Sequence, residues 1–499
     1  MRLFALLPGV LLFVTVSLFS QDTSDNLQLL DQYIQKTMND WSVPGLAIAV
    51  VKDGEIILSK GYGVKKINSD QVVNENTIFG IASTTKAMTA AAMGMLVDEG
   101  KVKWDDRVAD LWPEFQLYDP YPTRELRVRD LFTHNAGLGN ADFLWFDSDL
   151  NSLEILKRLR YAKPAYPFRG GYTYQNIMYL AAGELIHHLT DVPWELFVQR
   201  RIFDPLGMYN TYATQEASRE ESNRSIPHFE IDGKIQPITD SNADAIAPAG
   251  AVWSCVSDMA IWTKFVLDSA RIDGKPLLKP ETYREWLQPQ IIIPPRQFYP
   301  TVKLTKPNWT TYALGWFQED YRGKKVNFHT GSLAGTTAII GLLPEERLGV
   351  YILGNLDHAE LRHALMYKVF DLFGFNDADR DWSSEVKALY DDLNKAAKRE
   401  REKMLSAPTP DTHPSRALSA YAGTYTDLFY GQVEVIVRDE HLELATTKSN
   451  NAKLKHWHFD TFLANWNQPW RSDSLISFDL SPDGRVTSIA FDGRTLKRQ

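Results

Sequence analysis

The sequence predicts an α+β fold: an antiparallel sheet built from early and late strands, with a helical lobe inserted between them, followed by a small all-β domain, a barrel or sandwich. Three observations predict it. Strand-like apolar runs occur at residues 43–58 and again at 312–353, bracketing a mainly helical middle. The stretch Ala407-Pro408-Thr409-Pro410-Asp411-Thr412-His413-Pro414 then reads as a linker. Beyond it, short apolar–polar alternations recur at turn spacing.

The elements follow in chain order. Arg2 precedes an uncharged, mostly apolar stretch, Leu3 to Phe19, interrupted by Pro8-Gly9. This reads as a secretory signal peptide over residues 1–20, cleaved near Ser20. The stretch is short for a membrane span and no Cys follows it for lipid attachment. The mature protein is therefore expected to be periplasmic or secreted, without an integral membrane segment. Leu27 to Asn39 reads as a helix, with Leu29, Leu30, Tyr33, Ile34 and Met38 on one side. Val43 to Val51 and Glu55 to Leu58, split by Lys52-Asp53-Gly54, make a hairpin. An Ala- and Met-rich helix follows from Thr84 to Glu99 and stops at Gly100. In the helical middle, Ile177 to Leu189 is the clearest helix. Strands return at Tyr312 to Gln318, Val326 to His329, Ala338 to Leu343 and Gly349 to Leu353. Ser384 to Leu405 is charged, lacks Gly and Pro, and reads as an exposed helix. In the tail, Val433, Val435 and Val437 alternate with Glu434, Ile436 and Arg438, and Ile476 to Leu480 and Val486 to Phe491 flank a Ser481-Pro482-Asp483-Gly484 turn. The resulting domains are 27–375 for sheet and lobe, 376–416 for the helical segment and linker, and 417–499 for the small β domain.

The 499 residues carry a formal net charge of -9, which argues against nucleic acid as a partner. The single cysteine, Cys255, cannot form an internal disulfide; it reads as a small buried hydrophobe, with a cysteine nucleophile as the minor alternative. His187 and His188 are adjacent on a helix and cannot easily share a metal. No His/Asp/Glu spacing supports zinc, and the chemistry proposed below requires neither metal nor cofactor.

That chemistry starts at Ser83-Thr84-Thr85-Lys86. Ser and Lys at this spacing on a helix share one face, so their tips can meet. A serine hydroxyl needs a neighbour to take its proton. A desolvated lysine can lose its charge and serve. The pattern alone is weak, because Ser384-Glu385-Val386-Lys387 repeats it on the charged helix. Context favours the first copy, which follows the hairpin and opens an Ala-rich helix. Tyr174-Gln175-Asn176 is a second element: Tyr and Asn two apart point the same way, and a phenol near two cations can be drawn toward phenolate. His329-Thr330-Gly331 is a third, ending a strand before Ser332. A glycine there would let substrate lie against the strand edge, and the next backbone N–H can donate to an oxyanion.

Ser-x-x-Lys, Ser-Asp-Asn and Lys-Thr-Gly are the signature of class A β-lactamases and penicillin-binding proteins. The order found here, Ser-x-x-Lys, Tyr-x-Asn, His-Thr-Gly, resembles the class C β-lactamase-related branch. Val128 to Leu138, Ile202 to Met208, Pro248 to Ser254 and Leu314-Gly315-Trp316 are similar to CubicO-type serine hydrolases. Tyr421 to Tyr425 and His456 to Phe462 resemble the small lipocalin-like β domain some of these carry. The resemblance implies a β-lactamase/transpeptidase-like domain in which Ser83 is acylated, Lys86 activates it and Tyr174 shuttles the proton. Asn176 would orient Lys86 and substrate. His329 would stand at the substrate, followed by Gly331, with an oxyanion hole from the N–H groups of Ser83 and Ser332. Relatives usually have lysine where His329 stands. A mostly neutral histidine weakens carboxylate recognition and points away from true β-lactamase activity; activity is expected to follow the titration of His329. His134 and Asn135 are expected to stabilise a loop.

The implied function is a serine hydrolase of amide or ester bonds, a peptidase (of D-amino-acid peptides, for instance) or an esterase. An acyltransferase, or a penicillin-binding sensor with little turnover, is the alternative. The partner is a small-molecule or short-peptide substrate, and a homo-oligomer is compatible with the sequence.

Overall fold

The computed structural model describes residues 10–146, 148–406 and 408–499. Of the expected export segment, residues 1–9 lie outside the described residues. The helix α1, Val10–Asp40, runs continuously through the remainder and the expected Leu27–Asn39 helix. No helix among the described residues is long and apolar enough to cross a membrane.

Eight strands form the main sheet: β1 (Gly45–Lys52), β2 (Glu55–Gly63), β3 (Ile291–Ile292), β4 (Thr310–Tyr312), β5 (Phe317–Tyr321), β6 (Lys324–Leu333), β7 (Thr336–Leu343) and β8 (Leu348–Gly354). Their order is β2-β1-β8-β7-β6-β5-β4-β3, antiparallel throughout. The early hairpin joins the late strands through the β1–β8 pair, in which Leu46 lies opposite Gly354. Both faces are covered. Leu46, Ile48 and Val50 pack with α1 and the helix α5 (Leu361–Gly374), whereas Ala47 and Ala49 belong to the core shared with helices α2 (Thr85–Asp98) and α4 (Val256–Leu267). Burial on both sides explains why β1 reads as one apolar run rather than an alternation.

The expected strand Tyr312–Gln318 is two strands, β4 and β5, broken at Gly315. Gly315 has φ +88°, and a Cβ there would meet the Ala87 backbone at 2.9 Å. The chain bends at this point to let α2 approach the sheet. The Ser384–Leu405 helix is α6, Trp382–Leu405, and its start is docked rather than exposed. Trp382 is fully buried, stacks on Tyr367 with ring centroids 4.6 Å apart and donates its Nε1–H to Asp371.

The tail closes into an eight-stranded barrel whose strands, from Gly423–Asp427 to Arg494–Arg498, pair in sequence order. Closure removes free edges. Val433 and Val435 face its core as the alternation predicts, but Val437, although paired with Leu442, is 44% exposed. The barrel leans on the helical lobe: Phe143 packs against Phe429 and Tyr430, at 5.3 and 4.9 Å between centroids.

Candidate active site

Ser83 sits where the chain enters α2. A 3-10 turn, Ala82–Thr84, runs directly into the helix. Ala82 holds φ +48°, a left-handed conformation that costs an alanine on the order of 1–2 kcal/mol and turns Ser83 out toward the cleft. The residues of α2 from Thr85 to Leu96 are all buried, which fixes the helix on every side. Lys86 is fully buried one turn on. Its Nζ donates to Ser83 Oγ (3.1 Å), Asn176 Oδ1 (2.7 Å) and the Ala249 carbonyl (2.8 Å). Burial pushes its pKa down to about 7, against a smaller opposing pull from the Asp142 carboxylate. A neutral amine has two N–H donors and one lone pair. Asn176 Oδ1 and the Ala249 carbonyl can only accept, so they take both donors and leave the lone pair facing the Ser83 hydroxyl.

Tyr174 precedes helix α3 (Asn176–Thr190), and Asn176 is that helix's first residue. The Tyr174 ring lies 4.8 Å from Lys86 Nζ. Its hydroxyl is buried and meets no partner in hydrogen-bond geometry among the described residues; Ser83 is near enough to ease its ionisation slightly. Burial dominates and holds the phenol well above its ordinary value. The expectation of a phenolate between two cations is therefore corrected. Lys86 is half-discharged near neutrality and His329 is uncharged, so the lysine is the group able to accept a proton.

His329 is a second correction. It is 1% exposed and does not line the cleft. Its side chain lies behind Tyr174, with ring centroids 6.2 Å apart. Nδ1 donates to the Thr330 carbonyl at 2.7 Å, so Nε2 accepts from the Tyr312 hydroxyl at 2.9 Å. Burial, reinforced by Lys86, lowers its pKa to about 3. It cannot follow a neutral-range profile. His329→Gln is expected to lower the rate about tenfold by loosening a support of Tyr174, equivalent to ~1.4 kcal/mol. The midpoint of the pH–rate profile should stay where it is in the unsubstituted protein; a displaced midpoint would restore the titrating role.

Thr330 and Ser332 face the cleft, because side chains alternate along β6. Gly331 is needed for a different neighbour than expected: a Cβ there would strike the Ile81 carbonyl, just before the turn that carries Ser83. The glycine lets β6 and the Ser83 turn approach closely. Arg362, fully within the protein and paired with Glu360 at 2.9 Å, donates Nη1 to the Gly331 carbonyl (2.6 Å) and Ser332 Oγ (2.9 Å). This anchor of β6 had no sequence signal.

His134 supports Tyr174 from below, with ring centroids 4.4 Å apart, and its Nδ1 accepts from the Gln175 N–H at 3.0 Å. Asn135 accepts from Thr133 Oγ1 at 2.8 Å. The second Ser-x-x-Lys copy is not a pair. Ser384 donates to Asp381 (2.6 Å) and Lys387 to Asp391 (3.0 Å). Cys255 is buried, and burial with nearby Asp258 pushes its thiol up to about 11, so it is no ready nucleophile. The cleft at Ser83 has a volume of about 410 Å³, and Asp142, Trp145 and Tyr299 are among its walls.

Fold and site together define a β-lactamase/transpeptidase-like protein with a barrel appended. The chain belongs to the β-lactamase family: residues 30–371 match the Beta-lactamase family model. Residues 407–498 match a domain of unknown function, DUF3471. Among curated relatives, the chain is 30% identical to "Unguisins hydrolase ungD" of Aspergillus violaceofuscus over 457 residues, covering 84% of this chain and 78% of that protein. It is 25% identical to "Protein flp" of Staphylococcus aureus (strain MRSA252) over 346 residues, covering 67% of this chain and 64% of that one. Among solved structures, the octameric penicillin-binding protein homologue from Pyrococcus abyssi superposes with a TM-score of 0.61 at 21% identity, covering 94% of this chain and 99% of that one. SurE superposes with a TM-score of 0.56 at 17% identity, covering 96% of this chain and 100% of SurE. These two show the shared fold.

Proposed function

We propose that the protein is a serine hydrolase that forms an acyl-enzyme on Ser83 and cleaves amide or ester bonds. One observation carries this reading: the fully buried Lys86 amine lies 3.1 Å from Ser83 Oγ, with its pKa brought down to about 7. The neutral amine takes the Ser83 proton as Oγ attacks the carbonyl carbon. Tyr174, a neutral phenol beside both groups, relays that proton to the leaving group and later assists water. The N–H groups of Ser83 and Ser332 would receive the oxyanion. The hydrolase names of the Aspergillus relatives support hydrolysis over transfer to another acceptor. The substrate is a peptide or an ester; a β-lactam is disfavoured, because the uncharged His329 supplies no cation for its carboxylate. Export is part of the proposal and rests on Leu3 to Phe19. Assembly into a homo-oligomer is supported by the octameric Pyrococcus homologue.

The test is purified full-length protein offered activated esters, D- and L-amino-acid amides and a chromogenic cephalosporin, with mass spectrometry of quenched samples. Ester or amide turnover through an acyl adduct on the Ser83 peptide is expected, with a new N-terminus near residue 21 in the same spectrum. Stoichiometric labelling without turnover would establish the sensor instead.

A further inference from the structure

The charges around the Ser83 cleft are one-sided. Asp142 is the carboxylate in its wall; the other lining side chains are hydroxyls, amides, aromatic rings and a proline. Arg362, behind β6, is committed to Glu360, the Gly331 carbonyl and Ser332 Oγ. Among the described residues, a substrate therefore meets a negative wall with no fixed cation in the cleft lining.

Asp142 is also held in one orientation. Its Oδ1 accepts from Asn176 Nδ2 at 2.9 Å and from Trp145 Nε1 at 3.0 Å, and its Oδ2 accepts from Asn140 Nδ2 at 3.0 Å. A carboxylate offers about four lone-pair positions. Among the described residues, these contacts leave one position on Oδ2 of this half-buried residue for a ligand. Asn176 links this carboxylate to Lys86, and Lys86 touches Ser83, so Asp142 stands beside the acyl-transfer centre. The Trp145 and Tyr172 rings in the same cleft add faces that attract a cation.

The structural work alone does not call for a charge. An asparagine at this position would present the same carbonyl-type oxygen to Asn176 and Trp145 and would give up only the exposed Asn140 contact. The carboxylate, moreover, favours the protonated form of Lys86, against its use as a base. A charge that opposes the base is accounted for if it binds substrate.

Resting on the acyl-enzyme reading above, we infer that Asp142 receives the protonated α-amine of the substrate, so that the enzyme acts on acyl donors with a free amino terminus: amino-acid esters and the first residue of short peptides. In the reaction, the bond from Ser83 Oγ to the acyl carbon forms and the bond to the leaving group breaks. The Ser83 proton passes to Lys86 and from there, relayed by Tyr174, to the leaving group. The substrate ammonium stays ion-paired with Asp142 throughout.

The experiment uses the full chain and matched thiobenzyl esters of alanine and leucine, in D and L forms, with the amine either free or acetylated. The unsubstituted enzyme should prefer the free amine in kcat/KM on the order of 10²-fold, the worth of a charge-assisted hydrogen bond. The preference should fade as pH rises past the α-amino pKa, about 8. In Asp142→Asn the ratio should collapse to a few-fold. The ratio isolates the amine, since a change in Lys86 basicity acts on both substrates alike. Equal use of both esters, a preference for the acetylated form, or an Asp142→Asn variant that keeps the ratio would overturn the inference. Turnover that depends on Ser83 but ignores the amine defeats this inference alone; turnover that survives Ser83→Ala defeats the acyl-enzyme reading beneath it.

Discussion

Ser83→Ala is expected to lose ester turnover by on the order of 10⁴-fold or more while keeping its fold. The loss is large because, among the described residues, Ser83 supplies the hydroxyl that hydrogen-bonds Lys86 Nζ, whose other partners are the Asn176 and Ala249 oxygens. Thr84 faces away, its Oγ1 donating to the Ile81 carbonyl at 2.8 Å. The fold should survive because Ser83 is only partly buried and an alanine fits the turn. Ser384→Ala is the matched control. Ser384 sits in the first turn of α6, where the Asp381 side chain accepts from its N–H, and that contact does not need the hydroxyl. Its rate should stay within about twofold, in line with an exposed surface change. Steady-state kinetics on an activated ester, with circular dichroism for the fold, decides between the two serines. A Ser384 variant that lost activity while Ser83→Ala kept it would remove the assignment.

The second large effect concerns Lys86. Its pKa of about 7 lies below the ordinary lysine value of about 10.4 because the buried site penalises the charged form. Below that value the amine is an ammonium with no lone pair for the Ser83 proton. The rate should therefore fall about tenfold for each unit of pH lost below it, and level off above it. Lys86→Arg, which cannot discharge in this range, should lose on the order of 10³-fold at every pH. Lys86→Met should lose as much, since it has neither donor nor base. A pH–rate profile of kcat/KM for the three proteins provides the check. A flat profile in the unsubstituted enzyme, or an active arginine variant, would show that the lysine is not the base.

These predictions rest on parts of the site that were legible in the sequence. Ser83 and Lys86 are one helical turn apart, a spacing that no later contact could undo. Tyr174 and Asn176 share a face for a different local reason: they flank Gln175, whose backbone is extended. The parts misread depended on strand parity and distant packing. Taking His329, Thr330 and Gly331 as one block hid the alternation that turns His329 inward and leaves Thr330 with Ser332 at the cleft. Gly331 was read as making space for substrate, whereas its neighbour is Ile81, some 250 residues earlier in the chain. Asp142 lies in an irregular stretch with no periodicity to mark it. Arg362 and Glu360 form a buried pair whose purpose is visible only once α5 is packed behind β6. In the fold, hairpin, lobe and terminal β domain were all readable from apolar patterning. The break at Gly315 was not, because its cause is the approach of α2.

The pairing of β1 with β8 has a consequence for how the chain is made. The partner of Leu46 is Gly354, so the first hairpin leaves the ribosome some 300 residues before its companion strand exists. At ~5–20 residues per second, that interval is roughly 15 to 60 s. Throughout it, the edge of β1 that pairs with β8 stays unpaired, and contacts of such separation are slow to form in any case. The newborn hairpin is thus left with an open edge to protect, and the main sheet is completed only after the lobe inserted between its strands has been synthesised.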